Sequence, residues 1–188
     1  MEDRERLNAL PELLLPWFQK NARDLPWRKD RDPYHVWLSE IMLQQTRVEA
    51  VKAYYLRFLA ELPDIPALAS AAPEQLYKLW EGLGYYSRVR NLHAAAKQIM
   101  SEYCGSFPKT YEEIRCLKGI GEYTAGAIAS ICMELPEPAI DGNVLRVLTR
   151  LNRDPRPVDR EKTKSELRKD LRTIYPAGRC GDFTQALM

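Results

Sequence analysis

The chain has 188 residues, 45% apolar and 29% charged, enough for one globular unit with a sizeable core or for two small lobes that share one. No apolar run reaches membrane-spanning length and the charged start, Met1–Arg6, has no apolar signal segment behind it, so we expect neither a membrane protein nor a secreted precursor. The net charge is only +2, but residues 139–188 hold 11 basic and 7 acidic residues. If nucleic acid is bound, the charge that attracts it must be placed locally.

Apolar residues recur at three-and-four spacing in nearly every segment between prolines, and no segment alternates with period two. The pattern therefore predicts an all-α chain without a sheet. In chain order, the predicted helices cover about residues 7–18, 35–45, 48–62, 73–81, 87–103, 111–117, 123–133, 144–151, 159–174 and 183–188. The first helix carries Trp17 on its apolar side, and Pro63 and Pro66 end the third.

The last apolar pattern has barely two turns before the chain stops, which predicts little independent stability. We therefore expect a truncated chain that leaves apolar surface near Phe183, Leu187 and Met188.

Four cysteines, Cys104, Cys116, Cys132 and Cys180, form no C-x-x-C pair and are too sparse for a disulfide scaffold. We expect reduced thiols in a cytosolic protein. The two histidines, His35 and His93, are too far apart in sequence to predict a metal site or a triad.

Two glycines, Gly119 and Gly121, lie in a turn between two predicted helices, directly after Lys118. Glycine lets the backbone adopt positive φ and approach a ligand, and the N–H groups at the start of the next helix favour an anion. A DNA phosphodiester would fit, because backbone amides position phosphates without reading sequence. The alternative is an ordinary corner between helices with a glycine C-cap.

This turn resembles the hairpin of the helix-hairpin-helix DNA glycosylases of the endonuclease III superfamily. Further blocks narrow the resemblance to the MutY-type adenine DNA glycosylases: Leu25–Arg28, Ser39–Val48, Trp80–Arg88, Tyr123–Ile128 and Asp141–Arg146. The resemblance implies an all-α, two-lobed core with the active site in the cleft between the lobes. We expect a central lobe of residues 29–137, with the helix-hairpin-helix at about 111–134, and a second, incomplete lobe of residues 1–28 and 138–188.

Glu40 lies among apolar helix positions, where desolvation raises a carboxyl pKa and retains the proton of a general acid. Without the family, the sequence favours an exposed-face glutamate or a structural ion-pair partner. The resemblance implies that it protonates the flipped adenine so that the base leaves neutral.

Asp141 precedes Gly142-Asn143 at a predicted helix start, so it is also a candidate N-cap. The resemblance implies that its carboxylate stabilises the positive sugar formed during bond cleavage, either electrostatically or by transient covalent capture, with Asn143 hydrogen-bonding in the same site.

Tyr123 occupies the hairpin position at which bifunctional relatives carry a lysine that forms a Schiff base with the sugar. A phenol forms no imine, so the resemblance implies a monofunctional enzyme with Tyr123 near the sugar. Lys118 lies five residues earlier, outside that position, and is expected to contact DNA together with Gly119 and Gly121.

A duplex base must leave the stack before its glycosidic bond can be reached. The resemblance assigns a set of residues to the adenine pocket or to a wedge in the opposite strand: Arg28, Gln45, Thr46, Leu83 and Tyr85. Trp27 has an indole suited to stacking but could equally be core, and Leu83 and Tyr85 could belong to a core turn. The basic run Arg146, Arg150, Arg153, Arg156 and Arg160 could bind phosphates or form a solvated face.

Full-length members of the family carry a 4Fe-4S cluster and a domain that recognises 8-oxoguanine. The ligands of that cluster would lie beyond Met188, so we expect no metal or other cofactor in this chain. The predicted function is hydrolysis of adenine from mispairs with 8-oxoguanine or guanine in duplex DNA, by a monomer in the cytoplasm, nucleoid-associated if bacterial, that contacts no membrane. The alternatives are a thymine or uracil mismatch glycosylase and a catalytically silent DNA-binding fragment.

Overall fold

The computed structural model describes residues 3–158 and 160–188. Met1, Glu2 and Asp159, where the last long helix is predicted to begin, lie outside the described residues. Within the described ranges the chain forms eleven α-helices, one short 3-10 turn (Pro26–Arg28) and no strand, which confirms the predicted all-α class. The helices are α1 (Asp3–Asn21), α2 (Pro33–Leu43), α3 (Val48–Glu61), α4 (Ile65–Ser70), α5 (Pro73–Trp80), α6 (Ser87–Glu102), α7 (Tyr111–Cys116), α8 (Glu122–Met133), α9 (Gly142–Leu151), α10 (Glu161–Arg172) and α11 (Cys180–Leu187). Over the residues described, none of these helices has the length and apolarity that a membrane crossing needs.

Helix α4 is absent from the sequence prediction, which treats Pro63 and Pro66 only as the end of the helix before them. Pro66 instead lies in the first turn of α4, where a missing N–H costs no hydrogen bond. The Asp64 carboxylate accepts a hydrogen bond from the Ala67 N–H at 2.8 Å and caps the helix. Pro66 therefore belongs to the start of a new helix and does not mark the end of the helix before it.

The chain divides into two compact units, Asp24–Thr124 and Met1–Arg23 together with Ala125–Met188. The lobes predicted from sequence, which break at residues 28 and 137, remain a prediction about domain organisation.

In the unit Asp24–Thr124, α2 forms the centre of the core. Its residues Tyr34 and Val36–Met42 are all buried, so the helix is surrounded by protein on every side. Helices α3 and α6 and the 3-10 turn pack against it. Edge-on ring contacts extend this core, with centroid distances of 5.6 Å for Trp37–Phe107 and 6.1 Å for Phe58–Trp80.

In the second unit, α1 packs against α9 and α11 over an apolar core. The buried members of that core are Leu7, Leu10, Leu15, Val144, Leu145, Leu148, Leu167, Leu171, Phe183 and Leu187. The expected apolar surface near Phe183 and Leu187 is therefore wrong, because α1 covers these side chains. The prediction that Trp17 lies on the apolar side of α1 is also wrong, because this residue is 54% exposed.

A buried chain of hydroxyl groups joins α8 to α11 within the second unit. Thr184 Oγ1 donates to Ser130 Oγ at 2.8 Å, and Ser130 Oγ donates to the Gly126 carbonyl at 2.7 Å. The Tyr175 hydroxyl lies 2.8 Å from Thr184 Oγ1, and burial raises the pKa of this phenol above its ordinary value. The polar groups enclosed between these helices are thus paired with one another.

Candidate active site

Glu40 lies in the third turn of α2 and is 8% exposed. Val36 and Trp37, which lie one turn earlier on the same face of the helix, are buried as well. Glu40 is therefore not on an exposed face. A carboxyl group in such surroundings is a suitable donor of a proton to a base that enters the protein.

The C-terminal end of α2 is fixed by Arg88, which reaches it from α6. Arg88 Nη1 donates to the carbonyl oxygens of Ile41 and Met42, both at 3.0 Å, and of Gln44 at 2.6 Å. The last carbonyls of a helix have no partners within the helix, so the guanidinium supplies the donors they need. The turn that carries Gln45 begins directly after these carbonyls.

The same guanidinium also holds the turn between α5 and α6. Arg88 Nη2 donates to the Leu83 carbonyl at 2.9 Å and to the Gly84 carbonyl at 3.2 Å. Both terminal nitrogens lie 3.4 Å from Thr46 Oγ1. Burial lowers the pKa of the Arg88 guanidinium, which nevertheless stays charged at neutral pH.

The two residues of the α5–α6 turn that were predicted to contact DNA differ in exposure. Leu83 is buried, whereas Tyr85 is 62% exposed and has a positive φ of 48°. Gly82 has φ of +97°, and a Cβ there would lie 2.2 Å from the Tyr54 hydroxyl. The turn thus requires glycine at its start and presents an aromatic ring to solvent at its end.

The remaining predicted pocket residues of this unit differ in exposure. Gln45 is exposed with φ of 58°, and Thr46 is half-buried. Arg28 is half-buried, and its backbone N–H donates to the Leu25 carbonyl at 2.9 Å to close the 3-10 turn. Trp27 is buried edge-on against Tyr55 at 5.4 Å, which is the core arrangement considered as its alternative.

The hairpin between α7 and α8 is held tightly on α6. The Lys118 N–H donates to Gln98 Oε1 at 3.2 Å, and the Ile120 N–H donates to the Leu117 carbonyl at 3.1 Å. Gly119 has φ of +77°, and a Cβ there would lie 2.6 Å from Asn91 Cβ. Glycine is therefore required at 119 both by the backbone and by contact.

Gly121, unlike Gly119, has free space beside its Cα, since a Cβ at 121 would meet no atom within 4 Å. Lys118 and both glycines are exposed. Helix α8 begins at Glu122, so the exposed turn leads directly into a helix N-terminus. Tyr123, half-buried, lies in the first turn of that helix.

In the second unit, Asp141 caps α9, as its position in the sequence indicates. Its Oδ1 accepts hydrogen bonds from the N–H groups of Asn143 at 2.9 Å and Val144 at 2.8 Å. Its Oδ2 accepts from Asn143 Nδ2 at 3.0 Å, and Asn143 Oδ1 accepts in turn from Arg146. Three N–H donors thus fix the orientation of this carboxylate.

The segment that leads to Asp141 lies against α8 at Gly126. A Cβ at this position would lie 2.5 Å from the Pro138 carbonyl oxygen. Because the obstructing atom is backbone, no side chain can be accommodated without moving the segment. Gly126 therefore sets how closely residues 138–141 approach α8.

Sequence reasoning missed three positioning residues. Arg88 and Gly126 lie inside the sequence blocks that carry the family resemblance. The available signal for Arg88 was its charge, directly before the apolar positions Val89 and Leu92 of α6. Gln98, which holds the hairpin through the Lys118 N–H, gave no signal, because it is one polar residue on an amphipathic helix.

The cysteines do not fit an iron–sulfur cluster, which needs four converging thiolates. Cys104 and Cys116 are exposed, and the buried Cys180 donates its thiol hydrogen to the Pro176 carbonyl. Burial raises the pKa of the Cys180 thiol, which disfavours the thiolate. Throughout residues 3–158 and 160–188, no three His, Cys, Asp or Glu side chains group to hold a metal ion.

The buried carboxyl and the glycine hairpin of one unit and the helix-capping aspartate of the other are features expected of a helix-hairpin-helix repair protein. Residues 38–176 match the family model of the HhH-GPD superfamily base excision DNA repair proteins, and the chain belongs to that superfamily. This confirms the family resemblance that the sequence blocks indicate.

Named relatives narrow the similarity further. The adenine DNA glycosylase of Rattus norvegicus is 43% identical over 195 residues, covering 97% of this chain and 37% of that protein. The adenine DNA glycosylase of Buchnera aphidicola subsp. Acyrthosiphon pisum is 39% identical over 178 residues, covering 94% of this chain and 51% of that protein. The chain thus spans about half or less of the length of these relatives.

Solved structures share the fold. A thermostable thymine-DNA glycosylase has a TM-score of 0.85 and 24% identity, covering 99% of this chain and 84% of that chain. A trapped endonuclease III–DNA covalent intermediate in an estranged-adenine complex has a TM-score of 0.79 and 21% identity, covering 100% of this chain and 84% of that chain. These likenesses confirm the helix-hairpin-helix glycosylase fold.

Proposed function

We propose that this protein is a monofunctional DNA glycosylase that hydrolyses the N-glycosidic bond of adenine mispaired with 8-oxoguanine or guanine. The observation that carries the proposal is the burial of Glu40 in the third turn of α2. The relatives named adenine DNA glycosylase support the choice of base.

In the proposed reaction, Glu40 is the general acid. As the bond between sugar and base breaks, its electron pair goes to adenine, and the Glu40 proton neutralises the departing base.

The sugar that remains carries positive charge, and Asp141 stabilises it. The carboxylate is already oriented by the N–H groups of Asn143 and Val144 and by the Asn143 side chain, so it needs no rearrangement as the charge develops. Water then adds to the sugar and releases a proton, which leaves an abasic site and restores the acid.

Strand cleavage is not part of the proposed reaction. It requires an amine that attacks the sugar, and the hairpin carries the phenol of Tyr123 at the position in question. Lys118 lies on the exposed turn, where its role is to contact the DNA backbone.

Duplex DNA with an adenine mispair is the proposed partner. The turn at Gly119 and Gly121 would take a phosphate, the exposed Gln45 and Tyr85 would enter the base stack, and Arg28, Thr46 and Leu83 would border the extruded adenine. We further propose a monomer that works on genomic DNA in the cytoplasm, nucleoid-associated in a bacterium.

The decisive experiment measures single-turnover adenine release from a duplex containing an A:8-oxoguanine pair, for this chain and for Glu40→Gln. We expect release by the parent chain and a decrease of about 100-fold or more in the variant, the range that general acid catalysis supplies. Duplex binding by the variant, measured by fluorescence anisotropy, should be retained.

Three other outcomes would contradict the proposal. Base release from T:G or U:G duplexes in place of A:8-oxoguanine would indicate a neighbouring specificity. Duplex binding without release from any mispair would indicate a silent DNA-binding chain. Borohydride trapping of a covalent adduct in a yield comparable to product would indicate a bifunctional enzyme.

A further inference from the structure

We propose that Arg88 is a positioning residue that couples two DNA-contacting loops, residues 44–46 and 83–85, and holds them in one shared geometry. The functional part of this inference rests on the proposed glycosylase activity, in which Gln45 and Tyr85 enter the base stack. The structural part, coupling between the loops, stands on contacts within the unit Asp24–Thr124.

The first observation is the division of the guanidinium between the loops. Arg88 Nη1 donates to Gln44 O at 2.6 Å, whereas Nη2 donates to Leu83 O at 2.9 Å and Gly84 O at 3.2 Å. Thr46 Oγ1, 3.4 Å from both nitrogens, adds a second contact with the first loop. One rigid, planar group thus sets the distance between two segments about forty positions apart in sequence.

The second observation is that both loops carry backbone strain at the residue proposed to meet DNA. Gln45 has φ of 58° and Tyr85 has φ of 48°, a conformation that residues with a side chain rarely adopt. Such strain persists only where the surroundings hold it in place. In both loops, Arg88 binds a carbonyl oxygen of the residue directly before the strained one, Gln44 O and Gly84 O.

The third observation is the cost of the arrangement. Arg88 is 8% exposed, and within the described residues its hydrogen bonds go to carbonyl and hydroxyl oxygens and to no carboxylate. The ring of Trp80 lies 5.4 Å from its guanidinium carbon and that of Tyr85 lies 5.6 Å from it. A buried charge without an acidic partner is expensive to maintain, which is consistent with a role beyond stability.

Lysine cannot replace this group, because one ammonium with three donors does not span two loops as a five-donor guanidinium does. Arg88→Lys is therefore the informative variant. Arg57→Lys is its matched control, since Arg57 Nη2 also donates to a backbone carbonyl, that of Leu79 at 2.9 Å, but reaches neither loop.

The test is hydrogen–deuterium exchange of the loop amides in the unliganded protein. The Thr46 N–H is bonded to Leu43 O at 3.2 Å and the Leu83 N–H to Trp80 O at 3.0 Å, so each loop contains an amide that reports on its order. We expect Arg88→Lys to accelerate exchange in both loops and Arg57→Lys in neither. Exchange at the parent rate in either loop of Arg88→Lys would overturn the proposal.

A second variant covers the case in which Arg88→Lys does not fold. Gly84→Ala places a side chain at φ of +68°, where strain perturbs the second loop while Arg88 stays in place. Coupling through Arg88 predicts faster exchange at Thr46 as well as at Leu83. A response confined to residues 83–85 would contradict coupling.

A further experiment compares the rate of adenine release with the affinity for duplex DNA. In Arg88→Lys, single-turnover adenine release at saturating DNA should fall about 100-fold, the effect of misplacing reacting groups, while duplex affinity changes far less. A merely structural role would lower the melting temperature and leave this rate unchanged in the folded fraction. If the parent chain releases no adenine, the proposed function fails, and the exchange experiments still decide whether Arg88 couples the loops.

Discussion

At residue scale, Asp141 combines a structural role with a proposed chemical one. Oδ1 caps α9 through two backbone N–H groups, and Oδ2 is bonded to the Asn143 side chain. Serine can replace the first role, because its hydroxyl accepts from the same N–H groups, but it has no charge to stabilise a sugar cation. The two roles can therefore be separated by one substitution.

We expect Asp141→Ser to change the free energy of unfolding by no more than about 0.5 kcal/mol, since the cap is kept. Adenine release should fall by about 100-fold or more, because the electrostatic stabilisation of the transition state is lost. Urea denaturation and single-turnover kinetics measure the two effects. Asp141→Ala removes both roles, so it should lose activity in the same way and also lower the free energy of unfolding by about 1 kcal/mol. Full activity in the serine variant would eliminate the carboxylate from the chemistry.

The difference between Asp141 and Arg88 shows which site residues a sequence can predict. A cap depends on neighbours within three positions, so the Asp141-Gly142-Asn143 pattern was sufficient. Besides its near neighbours Leu83 and Gly84, Arg88 binds carbonyls more than forty positions away, and local spacing carries no record of those distant contacts.

At the scale of elements, His93 joins α6 to α4. His93 Nε2 donates to the Ala69 carbonyl at 3.2 Å, near the end of α4. Burial lowers the His93 pKa, and Lys97 on the same helix lowers it further, while the bond to Ala69 opposes the shift. The unfolded chain therefore takes up a proton at His93 at a higher pH than the folded chain does.

The expected consequence is a loss of stability as pH falls. Neutral His93 makes its full contribution to the free energy of unfolding above the unfolded pKa of about 6.5. That contribution is lost as the pH falls from this value through the lower pKa of the folded protein. His93→Gln keeps a donor for Ala69 but does not titrate, so its stability should depend less on pH. Urea denaturation of both proteins at about pH 7.5 and about pH 5.5 measures this, on either side of the unfolded value. Equal losses on acidification in the two proteins would contradict the assignment.

Most helices were predictable because their apolar spacing is long and regular. Helix α6 (Ser87–Glu102) ends one residue before its predicted end, and α3 (Val48–Glu61) does likewise. Helix α4 was missed because Pro66, which lies in its first turn, was interpreted as the end of the preceding helix. The position of α11 within a core depended on α1, a contact that no local pattern encodes.

At the scale of the whole molecule, a net charge of +2 provides little general attraction for DNA. The basic run does not add five free charges either, since Arg156 pairs with Asp154 and Glu166. Uncharged amides at the hairpin also leave few counterions to release. The salt dependence of binding should therefore depend on a few exposed side chains.

Lys118 is the residue on which this prediction is tested. We expect Lys118→Ala to weaken duplex binding and to reduce the slope of log affinity against log salt by about one unit. Lys97→Ala removes another exposed charge, from the α4–α6 surface, and should leave the slope unchanged. Anisotropy titrations over a salt series decide the matter, and equal slopes for Lys118→Ala and the parent chain would contradict the prediction.

The composition of the second unit from two separated stretches has a consequence for biosynthesis. Helix α1 leaves the ribosome before its packing partners α9 and α11, which follow more than a hundred residues later. The intervening stretch, Asp24–Thr124, is contiguous and can complete its own core in the meantime. Nascent α1 therefore has to wait with Leu7, Leu10 and Leu15 uncovered, which makes it the segment on which a chaperone would act during translation.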